Sequence, residues 1–452
     1  MNSKTVLLGA VLPSLLSFLG TGNSFANDFE YIANPPHVLA SSGTVLPKQP
    51  AAGAFCQPEP GLPPPGLCGY FPSSIRAAYN FPSNLDGSGQ TIVIVDAFGS
   101  PTIQNDLAVF DSFFGIPAPP SFTIKCSPAG CPTFNANPSK HSSSQVGWSI
   151  ETSLDVEYAH AMAPGANIVL VVASTDYGDA INAAEAKAIA SYPGSIMSQS
   201  FGIPEYLVSG NDGQFLQAQK NYAAARAAGI TVLASSGDSG ATNGGSFVNA
   251  GFPASDPLVT AVGGTEGLPY PLGLYNCSAT SCYGGEQVWN EPAFGSAGGG
   301  APSLFFAAPS YQAALGLGVR STPDVSYNAA VNGGVFVYWS ALPSQAGFYF
   351  VGGTSAGSPQ WAAIMALANQ LSVKEGYGPL GFVNPALYQL AQSSHYSSDF
   401  HDITQGNNQL VGTPAGENAG TGWDAASGWG TPNVTNLVPD LVACVKTSSC
   451  GM

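Results

Sequence analysis

The stretch TIVIVDAF, Thr91–Phe98, is apolar at almost every position and rich in β-branched residues. A strand with one wet face alternates apolar and polar residues, whereas a strand covered on both faces has no need to. Branching at Cβ stiffens the side chain and favours extended backbone. Four further stretches read the same way: NIVLVV (Asn167–Val172), SIMSQSFG (Ser195–Gly202), ITVLASSG (Ile230–Gly237) and LVTAVGG (Leu258–Gly264). Between them lie helical patterns at Ile103–Phe114, Gln145–Met162, Asp179–Ser191 and Gly213–Ala228. This alternation predicts an α/β fold with a doubly wound, mostly parallel sheet flanked by helices. GVFVYWSA (Gly334–Ala341) and FYFVGG (Phe348–Gly353) read as a late hairpin, and GSAGGGAPS (Gly295–Ser303) as a loop. No internal repeat or second core is visible, so residues 69–440 are expected to form one large domain.

The flanks differ in character. Residues 1–26 carry Lys4, an apolar run Val6–Leu19 and the small-x-small end Ser24-Phe25-Ala26, the pattern of a secretory signal. The apolar run is short and broken by Pro13, which argues against a membrane anchor. Residues 27–68 are Pro-rich and read as a leader or linker, and residues 441–452 as a tail. The eight cysteines fall in close pairs, Cys56/Cys68, Cys126/Cys131, Cys277/Cys282 and Cys444/Cys450, with no histidine beside them. Local disulfides in an oxidising, extracellular compartment are expected. Eleven basic residues against 27 acidic ones give a net charge of −16, which excludes a nucleic-acid partner because phosphate binding needs a basic footprint. A surface so poor in basic groups suits an acidic milieu.

Chemistry is expected beyond the carboxyl ends of the strands. GGTSAGSPQW (Gly352–Trp361) sets Ser355 at a strand-to-helix junction, where a helix N-terminus favours a forming anion. A serine nucleophile needs a base. The five histidines, His37, His141, His160, His395 and His401, offer no obvious one, and His160 is expected only to pack or cap. In SIETSLDVEYAHAMAPG, Glu151 and Asp155 are four apart and share one helix face. Carboxylates held together share a proton, which raises one pKa and lets a glutamate act as a base in acid. In ASSGDSGATN, Asp238 at a strand end could act protonated, as an oxyanion donor. Taken singly, each of these also fits a helix cap, a solvated acidic face or a turn.

In combination the segments resemble the sedolisins, serine-carboxyl peptidases with a subtilisin-like fold. GGTSAGSP resembles their motif Ser-Gly-Thr-Ser-x-Ser-x-Pro, departing at Gly352 and Gly357. The Glu-x-x-x-Asp helix matches Glu151 and Asp155, and Ser-Gly-Asp-Ser-Gly matches Asp238. SQSFGIPE (Ser198–Glu205), VGGT (Val262–Thr265) and PDVSYNA (Pro323–Ala329) are further matching stretches. The resemblance implies a secreted, monomeric endopeptidase acting on proteins or peptides at acidic pH, free of the membrane after signal cleavage. Ser355 would be nucleophile, Glu151 base, Asp155 its orienting partner and Asp238 an oxyanion donor. It also implies one structural Ca²⁺, held by Asp402 and Asp424 and by backbone carbonyls of Ile403, Gly420 and Gly422. Sedolisins are typically made with a long folded prodomain, and residues 27–68 are too short for one. Two alternatives stay open: a His-dependent subtilisin-like protease using Asp96, and a silent protein that kept the fold.

Overall fold

The computed structural model describes residues 32–39, 53–59, 61–127, 130–135, 143–268, 272–278 and 281–447. The signal-like segment, His141 and Cys450 lie outside them. The central sheet has eight strands. They are β4 (Thr91–Ala97), β5 (Phe122–Ser127), β6 (Asn167–Ala173), β7 (Ile196–Gln199), β8 (Thr231–Ser235), β9 (Thr260–Gly267), β10 (Glu286–Val288) and β11 (Val325–Asn328). Their order is β10-β9-β8-β7-β4-β6-β5, with β11 also paired to β9. Every pairing is parallel except β9 with β10.

The unbroken apolar runs follow from burial on both faces. Ile92 and Ile94 of β4 join one core with Ile168, Leu170 and Val172 of β6. Val93 and Val95 face the other way, into a second core with Val169 and Val171. Helices α3 (Ser143–Met162), α6 (Thr354–Lys374) and α9 (Val434–Thr447) contribute to the first layer, and α4 (Gly178–Ser191) and α5 (Gly213–Ala227) to the second. Asp212 caps α5, accepting from the amides of Gln214 and Phe215. Helix α9 runs on past residue 440.

The late hairpin, β12 (Gly334–Trp339) and β13 (Gly347–Gly352), forms as expected but belongs to a separate five-stranded sheet. Its other strands come from the Pro-rich stretch and its end: β1 (Val38–Leu39), β2 (Ala54–Gln57) and β3 (Leu67–Tyr70). Cys56 and Cys68 face each other across β2 and β3 and are bonded; Cys126–Cys131 and Cys277–Cys282 are bonded as well. No described helix is long and apolar enough to cross a membrane.

Candidate active site

Helix α6 begins directly beyond β13, so Ser355 sits in its first turn. Pro359 has no amide hydrogen to return to the Ser355 carbonyl one turn earlier. The Ser200 hydroxyl points at that freed carbonyl, 3.4 Å away. Two glycines explain where the nucleophile segment departs from the family motif. A Cβ on Gly352 would meet Ala330 O at 2.5 Å and Ala329 O at 2.7 Å. One on Gly357 would meet Val262 Cγ1 at 2.8 Å and Tyr327 Cβ at 3.0 Å. Neither place has room for serine.

Glu151 and Asp155 project from α3, whose segment 148–162 is wholly buried, so the solvated-face reading of this pair does not apply. Burial drives both carboxyls well above their usual pKa, reinforced by the charge of Asp96. Asp96, near the end of β4, faces Asp155 and Thr152; burial raises its pKa to about 7. These acids therefore hold protons among themselves. Asp155 also accepts a 2.7 Å hydrogen bond from Ser200 Oγ. The Ser355 hydroxyl neighbours Glu151 and lowers its proton affinity.

Asp238 lies beyond the end of β8. Its Oδ1 accepts from the Thr354 amide and hydroxyl, both at 2.8 Å. Its Oδ2 is buried and accepts nothing. Burial lifts its pKa to about 7. All four residues singled out in the sequence thus converge on one cleft.

The cleft is filled by the chain's own residues 32–39, an occupancy that sequence reasoning missed. Asn34 exchanges both main-chain hydrogen bonds with Gly202, each 3.0 Å, and the Ala33 amide bonds Asp176 O. Val38 and Leu39 pair antiparallel with Gly352 and Val351. Between these anchors, Ser355 Oγ donates to the Pro36 carbonyl at 2.6 Å. His37 Nδ1 lies 2.7 Å from Glu151 Oε2. Burial lowers the His37 pKa to about 4. A Pro-Pro-His run without periodicity carries no local signal for such a position. His160 bonds none of these groups; its ring nitrogen lies against Pro117 O at 2.9 Å and Asp111 at 3.4 Å.

Gly353 marks where the strap and the acid meet. Its φ is +126°, and a Cβ there would lie 2.5 Å from Pro36 O and 2.6 Å from Asp238 Oδ2. The carbonyl oxygen beside Ser355 and the free oxygen of Asp238 therefore crowd the same side of this glycine.

No family model matches the chain. Individual relatives do. Kumamolisin of Bacillus sp. (strain MN-32) is 34% identical over 82% of this chain and 64% of its own length. Tripeptidyl-peptidase 1 of Bos taurus is 30% identical over 90% of this chain and 70% of its own. The structure of Pseudomonas sedolisin, a serine-carboxyl proteinase complexed with two molecules of pseudo-iodotyrostatin, superposes with a TM-score of 0.67. It shares 26% identity and is covered over 97% of its length. The chain belongs to the sedolisin family. It spans less than two thirds of the length of kumamolisin and of Pseudomonas sp. (strain 101) sedolisin, 64% and 60% respectively. The sedolisin-like fold accounts for the mostly parallel central sheet flanked by helices.

The loops expected from the sequence to hold Ca²⁺ carry Asp402 and Asp424. Asp402 Oδ1 accepts from Tyr396 OH at 2.8 Å and from the Gly422 amide at 3.1 Å. Asp424 accepts from the amides of Gly420, Ala426 and Ser427. Burial raises Asp424 to about 6, and both acids act on Tyr396. Ile403 is buried beside them.

Proposed function

We propose that this chain is an exported serine-carboxyl endopeptidase that cleaves proteins and peptides in acid. The observation that carries the reading is the strap at Ser355: an extended peptide, hydrogen-bonded on both sides, with one carbonyl against the serine hydroxyl and beside a protonated acid. Substrate would take the same path by strand addition, main chain to main chain. In the form where Asp155 and Asp96 hold the shared protons and Glu151 is ionised, Ser355 Oγ attacks the carbonyl carbon as Glu151 takes its proton, and Glu151 then returns the proton to the leaving amine. Asp155, one helical turn along and backed by Asp96, keeps Glu151 oriented. The Asp238 carboxyl donates to the oxyanion through Oδ2, with Oδ1 fixed by Thr354. A base drawn from acids keeps its function where an imidazole would be charged.

The cleft supports endopeptidase rather than tripeptide release. Residues 32–36 lie on one side of the Pro36 carbonyl and 37–39 on the other, so the cleft accepts more than three residues before the bond. A histidine-based reading finds no support among the described residues. His37 bonds Glu151 and not Ser355, and Asp96 faces acids.

Asp402, Asp424 and the carbonyls of Ile403, Gly420 and Gly422 would hold one Ca²⁺. The fit is chemical: all donors are hard oxygens, and a partly buried Asp424 whose pKa is raised calls for a cation. The ion would brace these loops and takes no part in the steps above.

The test is hydrolysis of denatured casein across acid and neutral pH by the chain and by Ser355→Ala and Glu151→Ala. Both variants should be inactive and normally folded by circular dichroism; activity in either removes that residue from the mechanism.

A further inference from the structure

The short helix α8 (Tyr396–Asp399) and the C-terminal helix α9 meet through three groups that the peptidase chemistry does not use. His395 precedes α8, Asp399 ends it and Asp440 lies on α9. One ligand atom from each lies within 4.8 Å of the other two. His395 Nδ1 is 2.7 Å from Asp440 Oδ2. His395 and Asp440 are partly exposed, so the group is open to solvent on one side.

Asp399 makes this more than a surface ion pair. It is fully buried. One oxygen accepts from Ser398 Oγ at 2.9 Å, while Oδ2, equally buried, accepts nothing. The pair His395–Asp440 would satisfy itself without it. Instead the Asp399 carboxyl abuts that of Asp440, and burial followed by that contact lifts its pKa to about 6. Two carboxyls in contact need a shared proton or a cation between them.

The surroundings hold the three groups in place. The Asn433 amide donates to Asp399 O at 2.8 Å, Asn436 Nδ2 to Ser398 O at 2.9 Å, and Ser398 Oγ to His395 O at 2.7 Å. Both helices are thus tied before any ligand arrives, which lowers the ordering cost of binding.

We propose that His395, Asp399 and Asp440 bind a divalent transition-metal ion, Zn²⁺ first among them, as a clip between α8 and α9. One imidazole nitrogen and two carboxylate oxygens form a three-ligand set that suits Zn²⁺, with the fourth position left to water. The oxygen-only set at Asp402 and Asp424 suits Ca²⁺ instead, so the two sites differ in kind.

The test is calorimetric titration of the metal-stripped full chain with ZnCl2 at neutral pH, repeated in saturating CaCl2 and with Co²⁺ followed by its visible spectrum. The expected result is one saturable site, unaffected by Ca²⁺, with Co²⁺ bands of low-coordinate N/O ligation. His395→Ala, at a half-exposed position, and Asp399→Asn should each weaken it by at least about tenfold. Circular dichroism checks that both variants fold. Absence of saturable binding, displacement by Ca²⁺, or unchanged affinity in both variants would overturn the proposal.

Discussion

The hydroxyl of Ser355 donates a 2.6 Å hydrogen bond to the carbonyl of Pro36, 319 positions earlier in the chain. The next residue, His37, occupies Glu151. One short segment therefore engages both the proposed nucleophile and the proposed base, and its flanks are paired like added strands. Ala33 is buried in the second core layer and Val38 packs near Trp289. While this strap is seated, no other peptide can reach Ser355.

Removing the strap is expected to raise activity. A chain starting at residue 53 keeps β2 and β3 and should hydrolyse a fluorogenic peptide faster than the full chain. A synthetic peptide of residues 32–39 should inhibit it competitively. Equal rates for both chains, with no inhibition by the peptide, would show that the strap does not obstruct catalysis.

Inhibition by that peptide should weaken as pH falls. His37 titrates near 6.5 when free and at about 4 when buried, so the seated strap binds fewer protons than the released one. The preference for the neutral ring is fully expressed above the free value and is lost as pH drops from about 6.5 towards 4, by roughly 1.4 kcal/mol for each tenfold difference in proton affinity between the two states. Glu151 and Asp238 face the same ring; both are pushed towards protonation by burial, so neither supplies a full charge to hold a cation there. Inhibition constants measured through this range should rise for the natural peptide. They should stay flat for one carrying His37→Ala.

Asp238 should set the alkaline limit. Burial holds it protonated until about pH 7, so a donor is present below that value and is lost above it. Asp238→Ala should lower kcat by about 10²–10³-fold. Asp238→Asn, which keeps a donor that cannot ionise, should retain far more activity and extend it to higher pH. A pH–rate profile of the three proteins checks this; an unchanged alkaline limb in Asp238→Asn would move the limit to another group.

Stability should depend on Arg320. Fully buried, it bonds both oxygens of Asp324 at 2.6 Å, and Asp324 also accepts from the Ala261 amide and Tyr388 OH. Arg320→Ala leaves that carboxylate buried without its cation and should cost roughly 3–5 kcal/mol. Denaturant unfolding measures it. A loss below about 1 kcal/mol would place this pair with ordinary exposed ones.

Chelation should lower the melting temperature of the chain starting at residue 53 while leaving its Ser355 reactive to a peptide aldehyde at low temperature, since Asp402 and Asp424 bond none of Ser355, Glu151, Asp155 and Asp238. A melting curve unmoved by chelator and by added Ca²⁺ would show that no ion braces these loops.

Much of this molecule was legible in one dimension. Period and burial fix the strands: Ile92 and Val93 must face opposite layers, so a run with no polar face declares a sheet covered on both sides. Four candidate positions could be named as well, because a helical spacing of four joins Glu151 to Asp155 and strand ends point to Ser355 and Asp238. What the letters withheld was every contact made across long separations. Whether the Glu151–Asp155 face was wet or dry depended on the layer above it. The reason for Gly352 and Gly357 lay in Ala330 and Val262, far along the chain. The strap is the clearest case: Pro35-Pro36-His37 has no periodicity to read, and its place is set by unpaired main-chain groups at Gly202 and Gly352. Local sequence determined which elements form, because propensity and burial pattern act between near neighbours. Tertiary structure alone decided which acid meets which hydroxyl, because hydrogen bonds and desolvation depend on distance in space and take no account of position in the chain.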